Sequence, residues 1–281
     1  MRPTLSLGAA FLQLMLASAA FAQTPAGPPH NVVLFIADGL RSRMVDDSTA
    51  PTMATIAREG VDLRNSHALF PTFTTANASG MATGHQLGDT GDFSNTIYAG
   101  FPVPGAGDSS TPFLENDVVL GDIDGHFAGN YLNEATILKL ARDKGYSTAS
   151  IGKVGPVLIF DPTERSGDHT IIVDDATGTP KGIPLSADIT QRLQAVDLSP
   201  VAPPRGANGV AGNMTTPGTR VANVVQQDYF AAVASRVVLP LFKERRLRWQ
   251  RRSRHQPTAA KHQRGLPSRS PNSSRAGILT K

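Results

Sequence analysis

Apolar residues fall in short blocks along positions 31–242, separated by turn-forming clusters. Val32-Val-Leu-Phe-Ile36 is an uninterrupted apolar block, the pattern of a central strand covered on both faces. Pro51 to Glu59 reads as a short helix, with Pro at its start, Met53, Ile56 and Ala57 on one side, and Gly60 as its stop. Val61 to Leu69 reads as a second strand. Asn77 to Thr83 is a helix of small residues closed by Gly84. Residues 86–118 are mostly irregular, punctuated by Pro102, Pro104, Gly105, Gly107 and Pro112. Asn133 is placed to cap a helix running through Lys144, with Ile137, Leu138, Leu140 and Ala141 on its apolar face and Gly145 at its end. Strands are expected over Tyr146 to Ile151 and at Ile171-Ile-Val173. A long loop over Ser199 to Gly218 then leads into a helix over Thr219 to Phe242, which Pro240 bends or ends. No internal repeat is present. Helix-to-strand connections of this kind point to an α/β domain with a mixed, mostly parallel sheet and helices on both faces.

Two ends of the chain depart from this pattern. Residues 1–22 read as a secretory signal, with Arg2 as the positive start, an apolar run from Leu5 to Ala20, and Ala20-Phe-Ala22 as a cleavage site before Gln23. Gly8 and Gln13 interrupt that run, and no later segment is a membrane span. The reading is a periplasmic or secreted protein whose folded portion is residues 23–242. At the other end, residues 243–281 hold 12 Lys and Arg against the single acid Glu244. That leaves 15 basic and 22 acidic residues in 1–242, so the net charge of +4 averages an acidic body and a basic tail. The tail has the composition of a disordered segment. With no cysteine in the chain, thiolate metal sites and cysteine nucleophiles are excluded.

Candidate chemistry gathers near the start of the domain. Asp38 follows the first apolar block, and a carboxylate at the C-terminal end of a parallel strand sits where open α/β sheets bind ligands. Taken alone, Asp38-Gly39 is better read as a turn or a helix cap. The segment Phe70-Pro-Thr-Phe-Thr-Thr-Ala-Asn77 adds hydroxyls at a helix start, where the helix dipole and free N–H groups favour an anion. A metal held by Asp38 would activate such a hydroxyl. Thr72, Thr74 and Thr75 are equal candidates on physical grounds, and each could instead cap the helix.

These motifs, together with Ala82-Thr-Gly84, resemble the alkaline phosphatase superfamily, and within it the type I phosphodiesterase and nucleotide pyrophosphatase branch. The resemblance implies an alkaline-phosphatase-like sheet, and two divalent metal ions, zinc by the family's habit. It makes Asp38 a metal ligand, Thr74 both metal ligand and transiently phosphorylated nucleophile, and Asn77 the amide that binds the phosphoryl group. The implied substrate is a small phosphate ester or nucleotide. Thr75-Ala76 and Ala78 depart from residues common in nucleotide-cleaving members. Tyr146 to Lys153 also resembles the Gly-Lys element of the sulfatase branch, although Lys153 is better read as a solvated loop lysine.

The resemblance also implies later ligands: an Asp-x-x-x-His pair, an Asp-His pair and a final His. Asp122-Ile-Asp-Gly-His126 and Asp168-His169 have such spacings but lie too early, and read as solvated loops. The change of character near Lys243 therefore reads as truncation or a shifted frame, with the C-terminal part of the fold missing and activity lost. The alternative reading is a non-catalytic secreted protein that binds anionic partners through its basic tail, without nucleic-acid specificity.

Overall fold

The computed structural model describes residues 31–204 and 223–245. The segment expected to be a secretory signal, residues 1–22, and residues 246–281 of the tail lie outside the described residues, as does most of the loop expected before the last helix.

Two parallel strands form the centre, β1 (Thr148–Ile151) and β2 (Thr170–Val173), with Thr148 opposite Thr170 and Ile151 opposite Val173. Every residue of β2 is buried. Its side chains alternate between two separate apolar clusters, as the period of a strand requires. Ile172 packs with Leu114, Leu120, Ile123 and Leu158. Ile171 and Val173 pack with Ile189, Leu193, Phe230 and Val233. A Thr-Ile-Ile-Val strand suits this double burial, since its outermost hydroxyl is satisfied locally: Thr148 and Thr170 share a hydrogen bond of 2.7 Å.

The helices follow from local signals. The first, α1 (Pro51–Glu59), starts at its proline and stops at Gly60, as expected. The next, α2 (Thr74–Thr83), ends on Gly84 with φ 75°, the left-handed cap that glycine adopts without a side-chain clash. It begins three residues earlier than the small-residue pattern implies. A short turn, α3 (Leu87–Thr90), precedes α4 (Asp117–His126), whose N-cap Asn116 accepts from the backbone N–H of Val118 and Val119. In α5 (Ile137–Asp143) the cap is Thr136, accepting from Lys139 N–H at 3.2 Å. Asn133 instead occupies a left-handed turn at φ 55° and caps nothing. Then come α6 (Pro156–Ile159), between the strands, and α7 (Ala187–Gln194). Finally α8 (Val224–Ala232) runs into wider π turns over Val233–Val238 and further helical turns over 239–245. Pro240 neither ends nor breaks this helix. The π turns just before it are a recognised way for a helix to absorb a missing N–H donor.

Two expected strands are absent. Residues 32–36 belong to no strand, and their side chains face solvent, with Phe35 75% exposed. A strand exists through its ladder, and among the described residues no neighbour supplies one. Residues 61–69 also form no strand, because a turn at Arg64-Asn65 closes with Ser66 N–H donating to the Leu63 carbonyl at 3.0 Å.

Candidate active site

The Asp38-Gly39 turn, with Gly39 at φ 71°, presents the Asp38 carboxylate beside the N-terminus of α2. Thr74 is the first residue of that helix. Its Oγ1 donates to Asp38 Oδ2 at 3.5 Å, a long contact between two oxygens that converge on one spot. The preceding Phe73 supplies no side-chain cap, so a group with acceptor oxygens can approach the helix start.

The neighbouring threonines have other positions. Thr75 is fully buried, and its Oγ1 donates to Asn95 Oδ1 at 3.1 Å or Asp92 Oδ1 at 3.3 Å. Its backbone N–H also donates to Asn95 Oδ1, at 3.0 Å. Tyr131 OH donates to the other Asp92 oxygen at 3.0 Å. Burial raises the Asp92 carboxyl to about 6, against the lowering effect of these donors. Thr72 is exposed and makes no contact with Asp38 in the described hydrogen bonds. Of the three threonines, Thr74 is the partly accessible one that meets a carboxylate next to the helix N-terminus.

Asn77 fixes the turn that leads into α2. Its Oδ1 accepts from Leu69 N–H at 2.8 Å, while its Nδ2 donates to the Phe73 carbonyl at 3.0 Å. Longer contacts reach the carbonyls of Leu69 and Pro71, at 3.4 and 3.5 Å. The peptide between Phe70 and Pro71 in this turn is cis.

Lys153 belongs to the site as well. It follows β1, and its Nζ lies 3.7 Å from Asp38 Oδ2 and 2.5 Å from Glu115 Oε1. The Glu115 side chain is only 5% exposed. Gly155, at φ 93°, lets this loop press on residue 115: a Cβ there would stand 2.8 Å from Glu115 Cα. Lys153 is thus an ion-paired residue of the site, and Glu115 is one that the sequence pattern did not single out. Its signal was thin, being one acid in an irregular stretch before α4.

The two short motifs with metal-like spacing have structural roles or none. Asp122, Asp124 and His126 lie on α4, not in a solvated loop. Asp122 Oδ2 accepts from Gly105 N–H at 2.6 Å, and Asp124 Oδ1 accepts from Tyr131 N–H at 3.2 Å. The His126 ring stacks on Phe101 at 3.5 Å between centroids. Asp168 and His169 are exposed. Nearby, Asp117 and Asp174 face each other in the interior, 1% and 0% exposed. Both oxygens of Asp117 and Oδ2 of Asp174 lack a hydrogen-bond partner. Burial first, then the Asp174 charge, pushes the Asp117 carboxyl up to about 8.

A carboxylate and a threonine hydroxyl thus stand side by side at the start of α2, with Asp38 on the preceding turn. A family model described as type I phosphodiesterase / nucleotide pyrophosphatase matches residues 32–198, which hold all of the residues above. The chain belongs to that family. The type I phosphodiesterase family falls within the alkaline phosphatase superfamily, and the mixed α/β architecture with its parallel strands agrees with that fold. Comparison with curated proteins gave no match, and comparison with solved structures gave none.

The family consists of phosphoester hydrolases that generally depend on metal. Asp38 and Thr74 fit such a group as two hard oxygen donors aimed at one point. They do not complete a zinc site, which takes about four ligands. Among the described residues, no cluster of three or more His, Cys, Asp or Glu side chains is arranged to hold an ion. No helix among them is long and apolar enough to cross a membrane.

Proposed function

We propose that this chain is an exported hydrolase of small phosphate esters or nucleotides, with Thr74 as its nucleophile. The observation that carries the reading is the contrast between adjacent hydroxyls. Thr74 Oγ1 is accessible and aimed at Asp38, whereas Thr75 is sealed against Asp92 and Asn95. In the reaction, Oγ1 attacks phosphorus and the ester P–O bond breaks, with the leaving oxygen taking up a proton. Water then cleaves the phosphothreonine, restoring the hydroxyl and releasing the phosphate product. Asp38 accepts from the Thr74 hydroxyl and orients it, and the N-terminus of α2 faces the charge that develops on the phosphoryl oxygens. Asn77 holds the turn in register and offers its amide to the same oxygens when its longer contacts give way. Two divalent ions, zinc by resemblance, would take Asp38 and Thr74 among their ligands and lower the hydroxyl pKa when bound.

Thr74→Ala should abolish hydrolysis of bis(p-nitrophenyl) phosphate in the presence of zinc or manganese, and with it any acid-stable phosphoprotein. Thr75→Ala should cost about 1–3 kcal/mol of stability, because it strips partners from a buried carboxylate, while hydrolysis survives. Equal loss of activity in both variants would move the nucleophile elsewhere. Export is supported by the leader at residues 1–22. Terminal sequencing of the secreted or periplasmic protein should begin at Gln23, and an intact Met1 would remove export from the reading.

A further inference from the structure

Two interior carboxylates meet where α4 begins and β2 ends. Asp117 is the first residue of α4, and Asp174 directly follows β2; they are 1% and 0% exposed. Both oxygens of Asp117 and Oδ2 of Asp174 have no hydrogen-bond partner, while Asp174 Oδ1 accepts from Ala176 N–H at 2.8 Å. A proton held between the two acids satisfies only part of this set. An O–H on Asp117 reaches Asp174 Oδ2 and leaves the second Asp117 oxygen bare in the interior, which is unfavourable.

The charged groups around the pair do not close that gap. Arg165 acts on Asp117, but its Nη2 donates at 3.1 Å to the Asp117 backbone carbonyl and not to the carboxylate. Asp175 adds a third carboxylate, whose Oδ2 accepts from Val154 N–H at 2.6 Å. With all three acids ionised against one guanidinium, the group lacks the charge of one divalent ion. Its donors are all hard oxygens. Two open oxygens on one carboxylate suit bidentate contact, and one on the other suits monodentate contact, both of which calcium accepts. Magnesium is the poorer fit, because it keeps several waters and this pair lies in the interior.

We propose that Asp117 and Asp174 form a structural calcium site, Asp117 binding through both oxygens and Asp174 through Oδ2. Backbone carbonyls and water take the remaining positions. The site shares no residue with the Asp38–Thr74 pair and does not depend on Thr74 being the nucleophile. It ties the start of α4 to the end of β2, and Asp175 extends the tie to the loop after β1 through Val154. Lys153 lies in that loop, and Glu115 lies just before α4, so the ion braces two segments of the active site without touching substrate. Proton and calcium compete for the same oxygens. Since the Asp117 carboxyl is pushed up to about 8, calcium affinity should fall about tenfold per pH unit below that point.

The test uses the full chain, stripped with chelator and titrated with calcium chloride. Calcium should raise the thermal unfolding midpoint near pH 8 and leave it unmoved near pH 4. The rise should persist in Asp38→Asn, which weakens the candidate catalytic site, and vanish in Asp117→Asn. No rise near pH 8 would mean that the pair holds a proton alone, and would overturn the site. A rise that survives in Asp117→Asn, or is lost in Asp38→Asn, would place the ion elsewhere and overturn it equally. Calorimetric titration of the wild type decides the matter even if Asp117→Asn does not fold. Near pH 7, in buffers of different ionisation enthalpy, each calcium bound should release close to one proton. Binding without proton release would exclude Asp117 as a ligand.

Discussion

Two neighbouring threonines have opposite environments, and that contrast decides what each side chain can do. Thr74 Oγ1 meets a carboxylate near solvent, while Thr75 Oγ1 is sealed in the interior with Asp92 and Asn95. A second residue-scale feature is the facing pair Asp117 and Asp174. Burial and the neighbouring charge hold the Asp117 carboxyl near 8, against an ordinary 3.8. The unfolded chain therefore loses this proton first. The neutral form contributes stability that is complete below about pH 4 and falls away as pH rises through about 8. The slope is at most about 1.4 kcal/mol per pH unit. Asp117→Asn mimics the neutral acid and can donate to Asp174, so denaturant unfolding of the variant should lose most of this pH dependence. The variant should match the wild type near pH 4 and exceed it near pH 8. Parallel curves for the two proteins would mean that the pair does not hold a proton at neutral pH.

At the scale of elements, β2 joins the two apolar clusters, since Ile172 serves one and its neighbours serve the other. Loosening either cluster exposes one face of the same four-residue strand. The amides of Ile171–Val173 should therefore be among the slowest to exchange with deuterium, and should report the global opening free energy. Rapid exchange there, with slow exchange in α4, would show that the clusters open separately. This strand was legible in the sequence as a β-branched run, and the fold supplies the neighbour, β1, that such a run needs. Helix α1 was legible for a similar reason, with its proline and glycine both local punctuation. The start of α2 was not, because Asn95 receives Thr75 N–H from a distant loop and thereby supports the extra turn. Residues 32–36 carry the composition of a strand, yet strand formation depends on a neighbour that composition cannot report. Of the candidate site, Asp38, Thr74 and Asn77 were proposed through family resemblance. Glu115 could not, since only the fold brings it to Lys153.

Over the whole molecule, charge is unevenly distributed along the chain. Residues 1–242 carry the acid excess, while 243–281 carry 12 basic residues. In the candidate site Asp38 and Glu115 are the carboxylates, with Lys153 as the cation that bridges them. An anionic substrate entering there meets the Asp38 carboxylate with the Lys153 ammonium beside it. The unpaired run at 32–36 bears on this directly. It is the tether that delivers Asp38 to Thr74, and it is anchored by no ladder hydrogen bonds of its own. The precision of the site is consequently inherited from its least secured segment. Whatever stiffens those five residues sharpens the aim of Asp38, and whatever frees them blunts it, without any change to a reacting group.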